Sequence, residues 1–167
     1  MQPATQANRL EVQDLKTYFF LDEGILKAVD GVSLTVGDQE TIGIIGESGS
    51  GKTVAARSLM RLVVKPGEIV KGNAILRRKD GRVSDIFALE PDSKELRSLR
   101  GNDISMVFQE PMSSFSPVHT IGAQISEMVG LHTTLSKREI RDHVVDLLRR
   151  VGISNPQQRY DEYPFQL

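Results

Sequence analysis

The residues best equipped for chemistry in this chain form one contiguous run, Gly46-Glu47-Ser48-Gly49-Ser50-Gly51-Lys52-Thr53. Three glycines in six positions let a backbone turn tightly and bring its N–H groups to an anion with no β-carbon in the way. A helix starting at Gly51 would add the positive end of its dipole at the same point. Lys52 supplies a mobile ammonium and Thr53 a hydroxyl suited to a hard cation. Glycine, four residues, then Gly-Lys-Thr is the full pattern of a phosphate-binding loop, with Lys52 reaching the β- and γ-phosphates and Thr53 ligating Mg²⁺. A dinucleotide fingerprint fits less well, because Val54 stands where a third glycine would be needed. The loop gives a ligand class and leaves many nucleotide-binding enzymes open, small kinases and GTPases among them.

Such a loop works only between a buried strand and a helix. Thr41-Ile42-Gly43-Ile44-Ile45 is a short apolar run without alternation, which predicts a strand buried on both faces of a parallel sheet. Ala55, Leu59, Leu62 and Val63 share a helical stripe after the loop, closed by Pro66-Gly67. Before the loop, Leu10–Leu21 and the stretches at Ala28-Val29 and Val32–Val36 predict antiparallel strands around the turn Asp22-Glu23-Gly24. Residues 68–92 predict strands about a Lys79-Asp80-Gly81-Arg82 turn. A short helix is expected over Asp92–Arg100, then a second buried strand at Ile104–Phe108, a loop at Met112–Pro117, and helices at Thr120–Leu131 and Ser136–Val151. The last opens with a capping box, Ser136 to Glu139.

Composition bounds the answer. The chain has 167 residues, 39% hydrophobic and 26% charged, which suits one domain with a real core. A formal net charge of −1 gives no reason to expect nucleic acid as partner. There is no cysteine, so disulfides, thiolate metal sites and cysteine nucleophiles are excluded from this stretch. His119, His132 and His143 show neither metal spacing nor a nucleophile partner. No apolar run approaches membrane-spanning length, so any membrane association is expected through a partner.

The surroundings of the loop resemble those of ABC-transporter ATPases. Gly43–Thr53 is similar to their phosphate loop, and Ile104-Ser105-Met106-Val107-Phe108-Gln109-Glu110-Pro111 to their Q-loop. Met112-Ser113-Ser114-Phe115-Ser116-Pro117 is similar to the subfamily energising oligopeptide, dipeptide and nickel importers. Tyr163-Pro164-Phe165-Gln166-Leu167 resembles the segment just before that family's signature sequence. The resemblance runs from about Leu10 to Leu167.

It implies an α/β fold: an incomplete P-loop NTPase core of the RecA-like kind, with an N-terminal antiparallel β subdomain and the start of a helical subdomain. The implied division is a disordered 1–9, an ATP-binding core and β subdomain over 10–110, and a partial helical subdomain over 111–167. It also implies ATP and Mg²⁺ as cofactors, with Gly46, Glu47, Ser48, Gly49, Ser50, Gly51, Lys52 and Thr53 around the phosphates. Gln109 would contact Mg²⁺ and the attacking water, a task suited to a carboxamide because it ligates without adding charge. Phe19 matches the ring that stacks on adenine, with Tyr18 and Phe20 as close competitors. Implied partners are membrane permease subunits, met through residues 111–131 with Phe115, Pro117, Val118 and Ile121 as apolar candidates, and a second ATPase subunit. The implied location is the cytoplasmic face of the plasma (inner) membrane. One departure concerns a turn: the family's glycine before the glutamate that opens the phosphate-loop strand is here Gln39.

No apolar strand ending in an acid follows the loop. Asp146 lies on an amphipathic helix, Asp161-Glu162 follows no buried strand, Glu47 sits inside the loop and Asp14 comes too early. The expectation is therefore a nucleotide-binding portion of a peptide-importer ATPase that is hydrolytically incompetent by itself. Two alternatives stay open: another P-loop protein such as a small kinase, and a truncated, non-catalytic nucleotide binder. Against the kinase, 45 residues precede Gly46.

Overall fold

The computed structural model describes residues 8–109 and 115–166. They fall into two compact units divided between Met106 and Val107. Strands β1 (Leu10–Leu21), β2 (Gly24–Val36), β3 (Gly67–Arg77) and β4 (Val83–Asp85) form one antiparallel sheet in the order β2-β1-β3-β4. The two stretches expected at 28–29 and 32–36 are one continuous strand.

Strand β1 shows how sequence sets the buried face. Leu10 and Val12 point inward at period two, and then the phase slips, so that Leu15 and Thr17 follow inward. The slip is a bulge between Val12 and Leu15, with Asp14 at φ 46°. Gly72 of β3 passes so close that a β-carbon there would lie 2.8 Å from Gln13 O and from Leu15 Cα. Helix α1 (Lys52–Leu59) packs against this face, where the buried hydroxyls of Thr17 and Ser58 meet at 2.8 Å. Val29, Ala74, Leu76, Ile86, Leu96 and Leu99 complete the core. Arg9 is also fixed, its N–H donating to Val36 O at 2.7 Å, so the expected disorder of 1–9 does not extend to it. Residues 1–7 lie outside the described residues.

Thr41–Ile45 and Ile104–Phe108 form no strand, and Ile45 and Val107 are 98% and 92% exposed. A strand needs a neighbour for its N–H and C=O groups. Among the described residues none pairs with either run, beyond a single bridge between Arg100 and Ile104. Helix α1 also stops at Leu59, before Leu62 and Val63, because Arg61 turns left-handed at φ 53°. Ile86–Ala88 is a 3₁₀ turn that Asp85 caps, where strand was expected. Helix α2 (Lys94–Leu99), capped by Ser93, fulfils the expectation for 92–100.

The second unit contains α3 (Ile121–His132), α4 (Lys137–Arg150) and α5 (Pro156–Tyr160). Both bonds of the Ser136–Glu139 capping box are present. Ile121, Val144 and Leu148 make its core, with Ile125, Val129 and Tyr160 around them. Ile121 is 2% exposed, so it is a core residue and not part of a docking surface. Helix α5 was not expected, since five residues are too few to show a period; Pro156 opens it. Its Tyr160 ring lies against Gly122, where a β-carbon would fall 2.4 Å from the ring.

Candidate phosphate-binding site

Gly51, the N-cap of α1, adopts φ 89° and makes no side-chain cap bond. The first-turn amides of α1 thus receive no cap from their own N-cap side chain, the condition under which a helix start takes up an anion. No acidic residue occupies that first turn. Gly51 is also pressed against β2, and a β-carbon there would lie 2.2 Å from Ala28 O. Gly49 is left-handed as well, at φ 81°. The backbone therefore demands glycine at Gly51, where the pattern has it, and favours it at Gly49, one of the pattern's variable positions.

The ammonium of Lys52 folds back into the loop. It donates to Gly46 O at 2.7 Å, to Glu47 O at 2.6 Å and to Ser50 Oγ at 3.3 Å. All three acceptors are neutral oxygens, and an ammonium bonds more strongly to charged ones. Thr53 is exposed beside it. A cavity of about 270 Å³ adjoins the loop, lined by Ala28, Val29, Asp30, Ile44, Gly46 and Lys52 among others.

Asp30 was not foreseen at this site, because nothing in the sequence of a strand says which loop will lie beside it. The Tyr18 hydroxyl donates to Asp30 Oδ1 at 2.6 Å, and Lys16 and Lys27 stand 3.4 Å and 3.7 Å away. The Tyr18 bond above all, with Lys16 and Lys27, keeps the Asp30 carboxyl below its ordinary range.

The three aromatics of β1 separate. Tyr18 is engaged by Asp30 and by Lys27 over its ring at 5.4 Å. Phe19 packs beside Gly67 and Val63, and is not among the residues lining the cavity at the loop. Phe20, 44% exposed, lies with Lys65, Pro66 and Glu68. Gln39 adopts φ 59°, left-handed backbone that glycine takes without strain. Gln109 is an exposed residue of the second unit. Residues 110–114, where the Q-loop resemblance ends and the importer-subfamily one begins, lie outside the described residues.

A family model described as ABC transporter matches residues 29–167. The chain belongs to the ABC transporter family. The oligopeptide transport ATP-binding protein AppD of Bacillus subtilis is 42% identical over 159 residues, 95% of this chain and 46% of that protein. A Brucella ovis protein named for peptide import and ATP binding is 45% identical with the same coverage. This ABC-family chain thus spans about half the length of the curated relatives it matches. Its fold is that of ABC cassettes. The dimeric bacterial cassette MJ0796 superposes with a TM-score of 0.75 at 21% identity, over 95% of this chain and 62% of that one. A post-hydrolysis dimer of MJ0796 bound to ADP and Pi gives 0.76 at the same identity.

Proposed function

We propose that this chain is the ATP-binding portion of an ABC importer's ATPase subunit, whose ATP hydrolysis drives uptake of peptides or related small solutes. The carrying observation is Lys52, an ammonium held by oxygens of its own loop at the start of a helix with an uncapped N-terminus. Gly46–Thr53 takes the phosphates. The exposed Thr53 hydroxyl and the nucleotide's own oxygens suit Mg²⁺, which, when bound, screens phosphate charge and polarises the γ-phosphoryl. Gln109 is assigned to Mg²⁺ and the attacking water, and Phe19 to adenine, on their match to the family's motifs.

Partners follow from the same reading: permease subunits against residues 111–131, and a second ATPase subunit. The names of the relatives and the dimeric MJ0796 cassette support both. No helix among the described residues is long and apolar enough to cross a membrane, so a place on the inner membrane face would depend on the permease. Val118 is 73% exposed in the irregular segment before α3, as a docking residue should be.

Thr53→Ala tests the reading. The wild type should bind ATP at least about tenfold more tightly with Mg²⁺ than without, and the variant should lose that difference. Equal Mg²⁺ dependence in the two would remove Thr53 from the metal site.

A further inference from the structure

Helix α1 begins at the phosphate loop and ends in a contact that the nucleotide site does not use. Its last turn closes through Met60, the C-cap, and the left-handed Arg61. The carbonyls of these two residues both accept from Arg100, from Nε at 2.9 Å and from Nη2 at 2.9 Å. A guanidinium fork on two carbonyls at a helix C-terminus satisfies orphan acceptors and faces the negative end of the dipole.

Arg100 is itself the first residue of a tight turn. Gly101 N–H donates to Ile104 O at 2.8 Å, and Asp103 and Ile104 N–H donate to Leu99 O at 3.0 and 3.1 Å. The other side of that turn is clamped. Asp103 accepts from Arg78 Nε at 3.0 Å and from Lys79 N–H at 2.9 Å, and the Arg78 and Asp103 side chains are only 3% and 2% exposed. Arg78 Nη2 also donates to Ser98 Oγ at 3.1 Å. The turn is therefore anchored to the β3–β4 hairpin through Asp103 and joined to α1 through Arg100. The chain leaves it at Ile104 and runs directly on to Gln109.

We propose, resting on the nucleotide reading of the phosphate loop, that Arg100 is a positioning residue that transmits the state of α1 to the segment Ile104–Gln109. Phosphate entering the loop displaces the Lys52 ammonium from Gly46 O and Glu47 O and shifts the start of α1. Eight residues of helix move as one body, about 12 Å long. At its far end Arg100 follows the Met60 and Arg61 carbonyls, while Asp103 stays held by Arg78. The turn between them takes up the difference and re-aims the residues that follow. Coupling needs a connected element of this kind with two arrangements.

Hydrogen exchange on the full gene product, with and without MgATP, reads both ends of the path. In the wild type, nucleotide should change exchange at 46–54 and at 104–109. Arg100→Ala should keep the first response and lose the second, with kcat for ATP lowered about tenfold and KM within about twofold. Arg100→Lys keeps charge and stem without the fork. It guards against a folding failure of the alanine variant, and should melt close to the wild type yet still lose the 104–109 response. A full 104–109 response in either variant overturns the coupling and leaves nucleotide binding standing. No response at 46–54 in the wild type overturns the nucleotide reading, and the coupling with it.

Discussion

The α-carbon of Gly51 sits so close to β2 that a β-carbon on it would lie 2.2 Å from the carbonyl oxygen of Ala28. The loop thus meets the antiparallel sheet at close quarters at one point, where it becomes helix. Gly51→Ala meets both this backbone atom and a φ of 89°. Left-handed strain alone costs about 1–3 kcal/mol, and the overlap adds to it. The variant should melt lower and lose nucleotide affinity together, as thermal denaturation and titration will show. Unchanged affinity would mean that the loop does not depend on its seat against Ala28.

Much of this site was legible because glycine spacing carries backbone geometry directly. Gly51 has the left-handed backbone and close approach that its place before a helix suggested, Lys52 folds back into the loop, and the sheet follows from alternation in β1 and β2. The flanking runs at 41–45 and 104–108 were not legible as they are. An apolar, β-branched run signals a strand, but pairing depends on neighbours elsewhere, and Ile45 and Val107 have none among the described residues. Nor could sequence place Asp30 at the cavity or Arg100 at the end of α1. Each depends on which segments pack side by side, and no local signal records that.

Asp85 makes part of the first unit's stability depend on pH. Burial pushes its carboxyl up, but the Ala74 N–H at 3.0 Å, the Asn73 side-chain amide at 2.8 Å, and the Phe87 and Ala88 amides outweigh this and hold it below its ordinary range. A carboxylate depressed on folding contributes stability above its unfolded value of about 3.9, and that contribution fades as pH falls through the lower folded value. Asp85→Asn should therefore be less stable than the wild type at neutral pH, with the gap narrowing below about pH 4. Parallel stability curves from pH 3 to pH 7, about the range in question, would show that Asp85 is not the group responsible.

Val118 tests the assignment of a permease surface to 111–131. It is 73% exposed, so Val118→Asp should fold and bind nucleotide as the wild type does. A carboxylate trapped unpaired at an apolar contact is costly, and assembly should weaken by about 2 kcal/mol or more. Co-purification of the full gene product with its membrane partner reads this directly. Normal assembly by the variant would move the docking surface elsewhere.

The proposed phosphate site turns on the Lys52 ammonium, bonded to Gly46 O at 2.7 Å and Glu47 O at 2.6 Å. Calorimetric titration of MgATP into the wild type and Lys52→Ala asks this with least intervening inference. The wild type should bind measurably and the variant not at all, with both melting alike because Lys52 contributes only exposed bonds to the fold. Equal affinity in the two proteins would contradict it.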